Sequence, residues 1–186
     1  MKDKKIVFGI TGSIAAINIT NYIYELLSLY RVEVVLTKSA SNFLNPNGLR
    51  PLADAVYTDA FDLSSNKVPH VNLVKDADHL VILPASANFL SKMANGVADD
   101  LLSLCVLNYS KPIFIGPSMN QTMWENKSTQ RNVNSLKEDG HVFINTYASG
   151  FEASSGDTVL SEAALPSPNQ LMYYLREQEN SDLVNS

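Results

Sequence analysis

Four short and almost continuous apolar runs constrain the fold of this chain most strongly. They occupy residues 6–10, 32–36, 80–83 and 112–116, and β-branched residues are frequent in them. Apolar and polar residues do not alternate within the runs, which is typical of strands buried on both faces of a parallel sheet. Helical patterns separate the runs. The alternation predicts a single α/β domain with a doubly wound, mostly parallel sheet in three layers, of the Rossmann or flavodoxin type.

The segments between the runs predict where the helices lie. Residues 14–29 carry an apolar stripe at helical spacing, and residues 141–144 form a fifth candidate strand after a Gly140 helix stop. Further helices are predicted over residues 89–94, 99–107, 126–138 and 168–179. Without a linker or an internal repeat, residues 1–179 are expected to form one domain and residues 180–186 a flexible tail.

Two long segments have no clear period. Residues 42–69 and 147–168 are rich in Gly, Pro, Ser and Asn. Structureless stretches of this length in a compact domain are usually functional loops. Plain surface loops are an equally good interpretation of each.

The composition narrows the classes of function. With 14 Lys and Arg against 19 Asp and Glu, the net charge is −5, which argues against a large nucleic-acid-binding surface. The single cysteine, Cys105, excludes an intrachain disulfide, and three histidines leave little for a metal site. No apolar run approaches the length of a signal peptide or membrane span. We therefore expect a cytoplasmic protein with no metal, no nucleic-acid partner and no membrane association.

Small, hydroxyl and amide residues follow the predicted strands, at the edge where α/β sheets bind ligands. These strand ends are Thr11-Gly12-Ser13, Thr37-Lys38-Ser39, Pro84-Ala85-Ser86-Ala87-Asn88 and Pro117-Ser118-Met119-Asn120, which carry almost no charge. A Gly-Ser turn before a helix offers backbone N–H groups to a phosphate, although a capped turn explains it as well. A nicotinamide dinucleotide is disfavoured because the GxGxxG pattern is missing. A flavin mononucleotide suits these ends.

Two of these strand ends resemble known signatures. Residues 84–88 resemble the PASANT segment, and residues 117–124 the PxMNxxMW segment, of the homo-oligomeric flavin-containing cysteine decarboxylases. The second segment matches at every fixed position, and the first departs only where Phe89 replaces Thr. The resemblance spans about residues 6–156. It implies bound FMN, with FAD not distinguished by these residues, and a homotrimer that assembles further into a dodecamer of four trimers.

Within that family the chain looks most like the peptidyl-cysteine decarboxylases of epidermin- and mersacidin-type lantibiotics. The similar stretches are residues 69–74 and 150–156. The resemblance implies oxidative decarboxylation of the C-terminal cysteine of a precursor peptide to an aminoenethiol. Two alternatives stay open: a phosphopantothenoylcysteine decarboxylase of coenzyme A biosynthesis, and a non-catalytic flavin-binding regulatory subunit.

The same resemblance assigns the site residues. It implies that His70 is the catalytic base, and an imidazole with a pKa of about 6.5 suits that role. The implied substrate-binding residues are Asn120, Met123, Phe151 and Ser154. The implied cofactor-binding residues are Gly12, Ser13, Ile14, Thr37, Ser39, Phe43, Ser86, Ala87, Asn88, Phe89, Ser118 and Met119. Apart from the resemblance, His70 could be a surface histidine and Asn120 a turn residue.

The position of the one cysteine indicates which product the reaction releases. The coenzyme A branch has a cysteine in its substrate clamp that protonates the enethiolate, whereas the corresponding loop here, about residues 147–166, has none. Cys105 lies in an apolar helical segment and is expected to be an inert thiol. We therefore expect release of the aminoenethiol and reoxidation of the flavin by another acceptor, dioxygen; a proton donor of another type, Tyr147 or Ser154, is the alternative. The clamp segment 147–158 also lacks Lys and Arg, which disfavours a phosphorylated substrate.

Overall fold

A six-stranded, fully parallel sheet forms the centre of the structure, a computed structural model that describes residues 4–60, 68–151 and 156–184. The strands are β1 (Lys4–Ile10), β2 (Tyr30–Leu36), β3 (Ala55–Tyr57), β4 (His79–Ala85), β5 (Phe114–Pro117) and β6 (Val142–Phe143). Their order in the sheet is β3-β2-β1-β4-β5-β6. The chain therefore winds outward in both directions from β1 and β4, which confirms the predicted doubly wound α/β fold.

Helices cover both faces of this sheet. They are α1 (Thr20–Leu26), α2 (Pro46–Leu49), α3 (Pro69–Lys75), α4 (Ala87–Ala94), α5 (Leu101–Asn108), α6 (Gln121–Glu125), α7 (Lys127–Glu138) and α8 (Pro168–Val184). Val7 of β1 packs in a core with residues of α3, α4, α5 and α7, whereas Phe8 packs on the opposite face with residues of α1 and α8. Consecutive strand residues are thus both buried, which explains the continuous apolar runs. None of the helices within the described ranges is both long and apolar enough to span a bilayer.

Some elements differ from the sequence prediction. The segment 14–29 forms a short 3-10 helix, Ile14–Asn18, and then α1, instead of one continuous helix. Helix α8 continues past residue 179, so the predicted tail is helical as far as Val184. The segment 42–69 contributes α2, the edge strand β3 and the start of α3, which its lack of period did not reveal. Residues 61–67 of this segment lie outside the described part of the chain.

The second aperiodic segment forms an antiparallel hairpin where the sequence predicts a loop. Strands β7 (Thr146–Phe151) and β8 (Thr158–Ala164) pair with each other in a sheet of their own. Gly is depleted in strands, and Gly and Ser are common in turns, so residues 147–151 predict a loop where β7 forms. We call β7 and β8 the hairpin; Ser154 falls between the two strands, outside the described residues.

A partly buried polar cluster at the amino edge of the sheet holds helix α8 in place. Glu179 accepts hydrogen bonds from the Tyr30 hydroxyl at 2.9 Å and from His79 Nε2 at 3.1 Å, and it pairs with Lys4. Burial lowers the pKa of His79 even though Glu179 opposes this shift. Burial also opposes ionisation of Glu179, but its donors Lys4, His79 and Tyr30 outweigh that effect and lower its pKa. At neutral pH the histidine is therefore neutral and the glutamate ionised.

Candidate functional site

The carboxyl ends of β1, β2 and β4 surround a cleft of about 460 Å³. It lies where the strand order reverses, between β1 and β4, which is the position expected for a ligand in a sheet of this type. Residues from three strand ends, from α4 and α6, and from the turn before α5 line it: Thr11, Gly12, Thr37, Lys38, Ser39, Ser86, Ala87, Asn88, Phe89, Lys92, Asp99, Asp100 and Met123. The structure thus brings together eight of the predicted site residues: Gly12, Thr37, Ser39, Ser86, Ala87, Asn88, Phe89 and Met123.

Thr11 joins the two strands at the base of the cleft. Its hydroxyl donates to the carbonyl of Pro84 at 2.7 Å and accepts from the backbone N–H of Ser86 at 2.8 Å. The side chain is buried. Thr11 was not predicted as a site residue, although a threonine directly after a buried strand indicates one.

Gly12 lets the ends of β1 and β2 approach each other. A Cβ atom at this position would lie 2.5 Å from Cβ of Ser39, closer than real side chains allow. Only glycine therefore fits between the two cleft-lining turns without displacing one of them. The next residue, Ser13, does not line the cleft; its hydroxyl lies 2.9 Å from that of Ser118 and links the ends of β1 and β5.

The amino end of α4 opens onto the cleft. Ser86 caps this helix, and its hydroxyl accepts from the N–H of Phe89 at 3.3 Å. The first-turn N–H groups and the positive end of the helix dipole favour a negatively charged group here. Phe89 lines the cleft, but its side chain is only 2% exposed and packs in the core. Phenylalanine at this signature position thus contributes to packing and has no hydroxyl for a ligand.

Charged residues also line the cleft, which the sequence analysis did not expect. Lys92 Nζ lies 2.6 Å from an Asp99 oxygen and 3.1 Å from an Asp100 oxygen. Burial opposes the charge of Lys92, but the two aspartates outweigh it and raise its pKa. A turn at Gly96, which has a φ of 63°, brings the aspartates back to the helix that carries Lys92. Because α4 ends at Ala94, the aspartates lie beyond the helix, and helical periodicity does not predict this contact.

Asn120 stands at the end of β5 and caps α6. Its Oδ1 accepts from the N–H of Met123 at 2.8 Å, so its Nδ2 amide is the group that can donate to a ligand. Met123 lines the cleft and is 46% exposed. The neighbouring Met119 packs against the core instead of lining the cleft.

His70 lies in the first turn of α3, outside the cleft lining. Because α3 leads directly into β4, its first turn is at the same edge of the sheet as the cleft. Ile14 and Phe43 are each 41% exposed and also lie outside the lining. Phe151 is the last residue of β7, and its backbone pairs with Thr158. The roles of these residues stay predictions.

Cys105 is buried in α5, and its Sγ lies 4.0 Å from the carbonyl of His70. Burial raises the pKa of its thiol to about 12. The thiol is therefore protonated at neutral pH and has little reactivity, as expected for a structural cysteine.

The donors of the cleft fit a phosphate-bearing cofactor. Backbone N–H groups at Gly12 and at the start of α4 combine with the side chains of Thr37, Ser39 and Ser86, and Lys92 is neutralised by its aspartates. The close approach at Gly12 leaves the backbone open to a ligand, where a side chain would fill the space.

Comparison with known proteins identifies a matching family model and similar proteins. The family model described as Flavoprotein matches residues 1–178. Epidermin decarboxylase from Staphylococcus epidermidis is 38% identical over 155 residues, which cover 82% of this chain and 83% of that protein. Phosphopantothenoylcysteine decarboxylase from Arabidopsis thaliana is 39% identical over 148 residues, which cover 75% of this chain and 70% of the relative.

Solved structures agree with the sequence relatives. A variant of peptidyl-cysteine decarboxylase EpiD complexed with the substrate peptide DSYTC has a TM-score of 0.84 and 32% identity, covering 92% of this chain and 98% of that one. The FMN-dependent cysteine decarboxylase SpaF has a TM-score of 0.73 and 31% identity, covering 86% and 90%. Both proteins share the fold of this chain, and both are described as cysteine decarboxylases.

Proposed function

This chain belongs to the flavoprotein family, and we propose that it is an FMN-dependent cysteine decarboxylase acting on the C-terminal cysteine of a lantibiotic-type precursor peptide. The observation that carries the proposal is the cleft between β1 and β4. It is lined by hydroxyl and backbone donors and adjoins the intact PxMNxxMW segment at the end of β5. The similarity to epidermin decarboxylase supports the peptide substrate.

In this proposal the cofactor and the residues of this chain contribute different steps of the reaction. Gly12, Thr37, Ser39 and Ser86 would hold FMN, which when bound accepts a hydride from the cysteine β-carbon and so makes loss of CO₂ possible. The chain itself must bind the substrate carboxylate, accept the thiol proton and hold both groups of the substrate in the orientation that the reaction requires.

Asn120 is suited to the carboxylate. Because its Oδ1 is used by the N–H of Met123, its amide is held with Nδ2 available to donate. A neutral donor positions a carboxylate without adding the positive charge that would favour its retention over release of CO₂. The exposed Met123 beside it offers an apolar contact to the cysteine side chain.

His70 takes the thiol proton in this proposal, at the cleft of a neighbouring subunit. Its position outside its own cleft lining supports a shared site in a homotrimer, which would assemble further into a dodecamer. The exposed Ile14 and Phe43 near the cleft supply apolar surface for such an interface. Mixing inactive His70→Asn and Asn120→Ala proteins under subunit exchange should restore activity; if the mixture stays inactive, the site is not shared.

The product in this proposal is the aminoenethiol. Segment 147–158 has no cysteine to protonate the enethiolate, and the buried Cys105, with a pKa of about 12, cannot substitute for it. The two electrons removed from the substrate must then leave the enzyme to an external acceptor, for which dioxygen is sufficient. The peptide loses CO₂ and two hydrogens in total.

A second candidate substrate is phosphopantothenoylcysteine, favoured by the 39% identity to the Arabidopsis enzyme. The lack of Lys and Arg in segment 147–158 weighs against it, because a phosphate is usually bound by cationic side chains.

A comparison of substrates tests the proposal. The purified yellow protein is incubated with peptides ending in cysteine, with the same peptides ending in serine, and with phosphopantothenoylcysteine, and CO₂ release is measured. We expect release only from the cysteine peptides. Release from phosphopantothenoylcysteine alone would overturn the peptide assignment, and release from none would overturn the decarboxylase assignment.

A further inference from the structure

We propose that Glu162 is a positioning residue that holds the hairpin against α6 and so sets the distance between the hairpin and Asn120. The inference rests on the proposed function, in which Asn120 binds the substrate carboxylate. It concerns the part of the site beyond the cofactor cleft, where the hairpin and the end of β5 meet.

Glu162 makes a side-chain contact to the last residue of the PxMNxxMW segment. Its carboxylate accepts the indole N–H of Trp124 at 3.1 Å. Trp124 is only 6% exposed, so its ring is fixed in the core and its N–H points at a defined place. A hydrogen bond to an ionised acceptor is stronger than one between neutral groups.

The backbone of Glu162 makes two further contacts. Its N–H donates to the Gln121 side-chain oxygen at 3.0 Å, and its carbonyl accepts from the Asn145 amide at 2.7 Å. Gln121 and Trp124 are the first and fourth residues of α6, so both ends of the first helical turn are tied to one residue of β8. Asn145 stands just before β7 and ties that side of the hairpin to the same residue.

The short helix α6 is held by these contacts on the hairpin side and, on the core side, by the buried Trp124 ring and the Gln130 amide, which donates to the Trp124 carbonyl at 2.7 Å. It comprises only Gln121–Glu125, too short to be stable by its own backbone hydrogen bonds, and Asn120 is its cap. The cap places the Nδ2 amide of Asn120, and Glu162 places the helix relative to the hairpin. Moving the hairpin would therefore move Phe151, the predicted substrate residue at the end of β7, relative to the group that binds the carboxylate.

The hydrogen bond between Trp124 and Glu162 requires an indole N–H donor and an oxygen acceptor, but it does not require a pair of opposite charges. In the described part of the chain, Glu162 forms no ion pair with a lysine or arginine. An amide oxygen can accept the same indole N–H, whereas a methyl group cannot. Glu162→Gln should therefore preserve the positioning that Glu162→Ala removes.

Steady-state kinetics of these two variants test the inference, with exposed Glu138→Ala as the matched control. For whichever cysteine substrate the wild type turns over, Glu162→Ala should raise KM about tenfold, with kcat and flavin content within about twofold. Glu162→Gln should stay within about threefold of the wild-type KM. In a Trp124→Phe background, which lacks the donor, Glu162→Ala should add no further increase. An unchanged KM for Glu162→Ala, or equal losses in Ala and Gln variants, would overturn the inference.

Fluorescence provides a second readout that does not depend on turnover. Trp124 is the only tryptophan of the chain, so its emission reports this contact directly. Glu162→Ala should shift the emission to longer wavelength as water reaches the indole N–H, and Glu162→Gln and Glu138→Ala should not. If the wild type decarboxylates no cysteine substrate, the proposed function fails, and the emission spectra alone decide whether Glu162 holds Trp124. Identical spectra for all variants would refute that contact.

Discussion

Replacing Thr11 by valine should weaken the link between the end of β1 and the end of β4 at the base of the cleft. Valine has the same shape but loses the 2.7 Å bond to the Pro84 carbonyl and the 2.8 Å bond from the Ser86 N–H. The Pro84 carbonyl keeps a bond from the Thr11 N–H at 3.2 Å, so the main cost is the Ser86 donor left unpaired. Since an unpaired group costs about 1–3 kcal/mol when buried and Ser86 is only half-buried, we expect a loss at the lower end, about 1 kcal/mol, in the free energy of unfolding.

Urea unfolding followed by circular dichroism measures this loss at fixed protein concentration. Thr20→Val, on the outer helix α1, is the matched control and should change stability by less than about 0.5 kcal/mol. Because Ser86 caps α4 at the cleft, Thr11→Val should also weaken flavin binding by about tenfold in a fluorescence titration. A Thr11→Val protein with wild-type stability and flavin affinity would refute the role given to this hydroxyl.

Three further predictions follow from the site and the amino edge. Gly12→Ala should reduce flavin content about tenfold because its Cβ would meet Ser39, whereas Gly48→Ala, with nothing within 4 Å, should not change the absorbance spectrum. His70→Asn should abolish turnover in the CO₂ assay and keep flavin bound; an active variant would exclude it as the base. Because burial lowers the pKa of His79, protonation favours the unfolded state, so thermal stability should fall as the pH drops below 6.5. His79→Gln should flatten that fall in a calorimetric pH series, and an unchanged slope would contradict it.

The fold could be predicted from the sequence because strands buried on both faces of a parallel sheet form continuous apolar runs. The runs that became β1, β2, β4 and β5 are apolar on both faces, and the sheet buries both faces. Strand β3 escaped detection because Ala55–Tyr57 is short, half-buried and at the edge of the sheet. Its place in the sheet is set by tertiary pairing with β2, which local sequence does not encode.

The part of the cleft formed by polar residues directly after a strand could be predicted from the sequence. Gly12, Thr37, Ser39 and Ser86 stand at strand ends, and parallel strands bring their carboxyl ends to one edge. Lys92 and its two aspartates reach the cleft through a turn that only the three-dimensional structure reveals.

The hairpin shows a different limit of the sequence. Its Gly and Ser residues resemble a loop, yet β7 and β8 pair and contact α6 through Glu162. The contact joins Trp124 and Glu162, and a tryptophan and a glutamate this far apart in the sequence do not by themselves predict a contact. Long-range pairs of this kind depend on how the hairpin packs on α6 and cannot be derived from periodicity.

The mass of the product tests the central claim most directly. The purified, flavin-loaded protein is incubated in air with a short peptide ending in cysteine, and the peptide is analysed by mass spectrometry. Oxidative decarboxylation predicts a loss of about 46 Da, equal to CO₂ and two hydrogens. A loss of about 44 Da would mean that the two electrons return to the product, contradicting the oxidative outcome. An unchanged mass for every cysteine-terminated peptide would contradict the account of this chain as a peptidyl-cysteine decarboxylase.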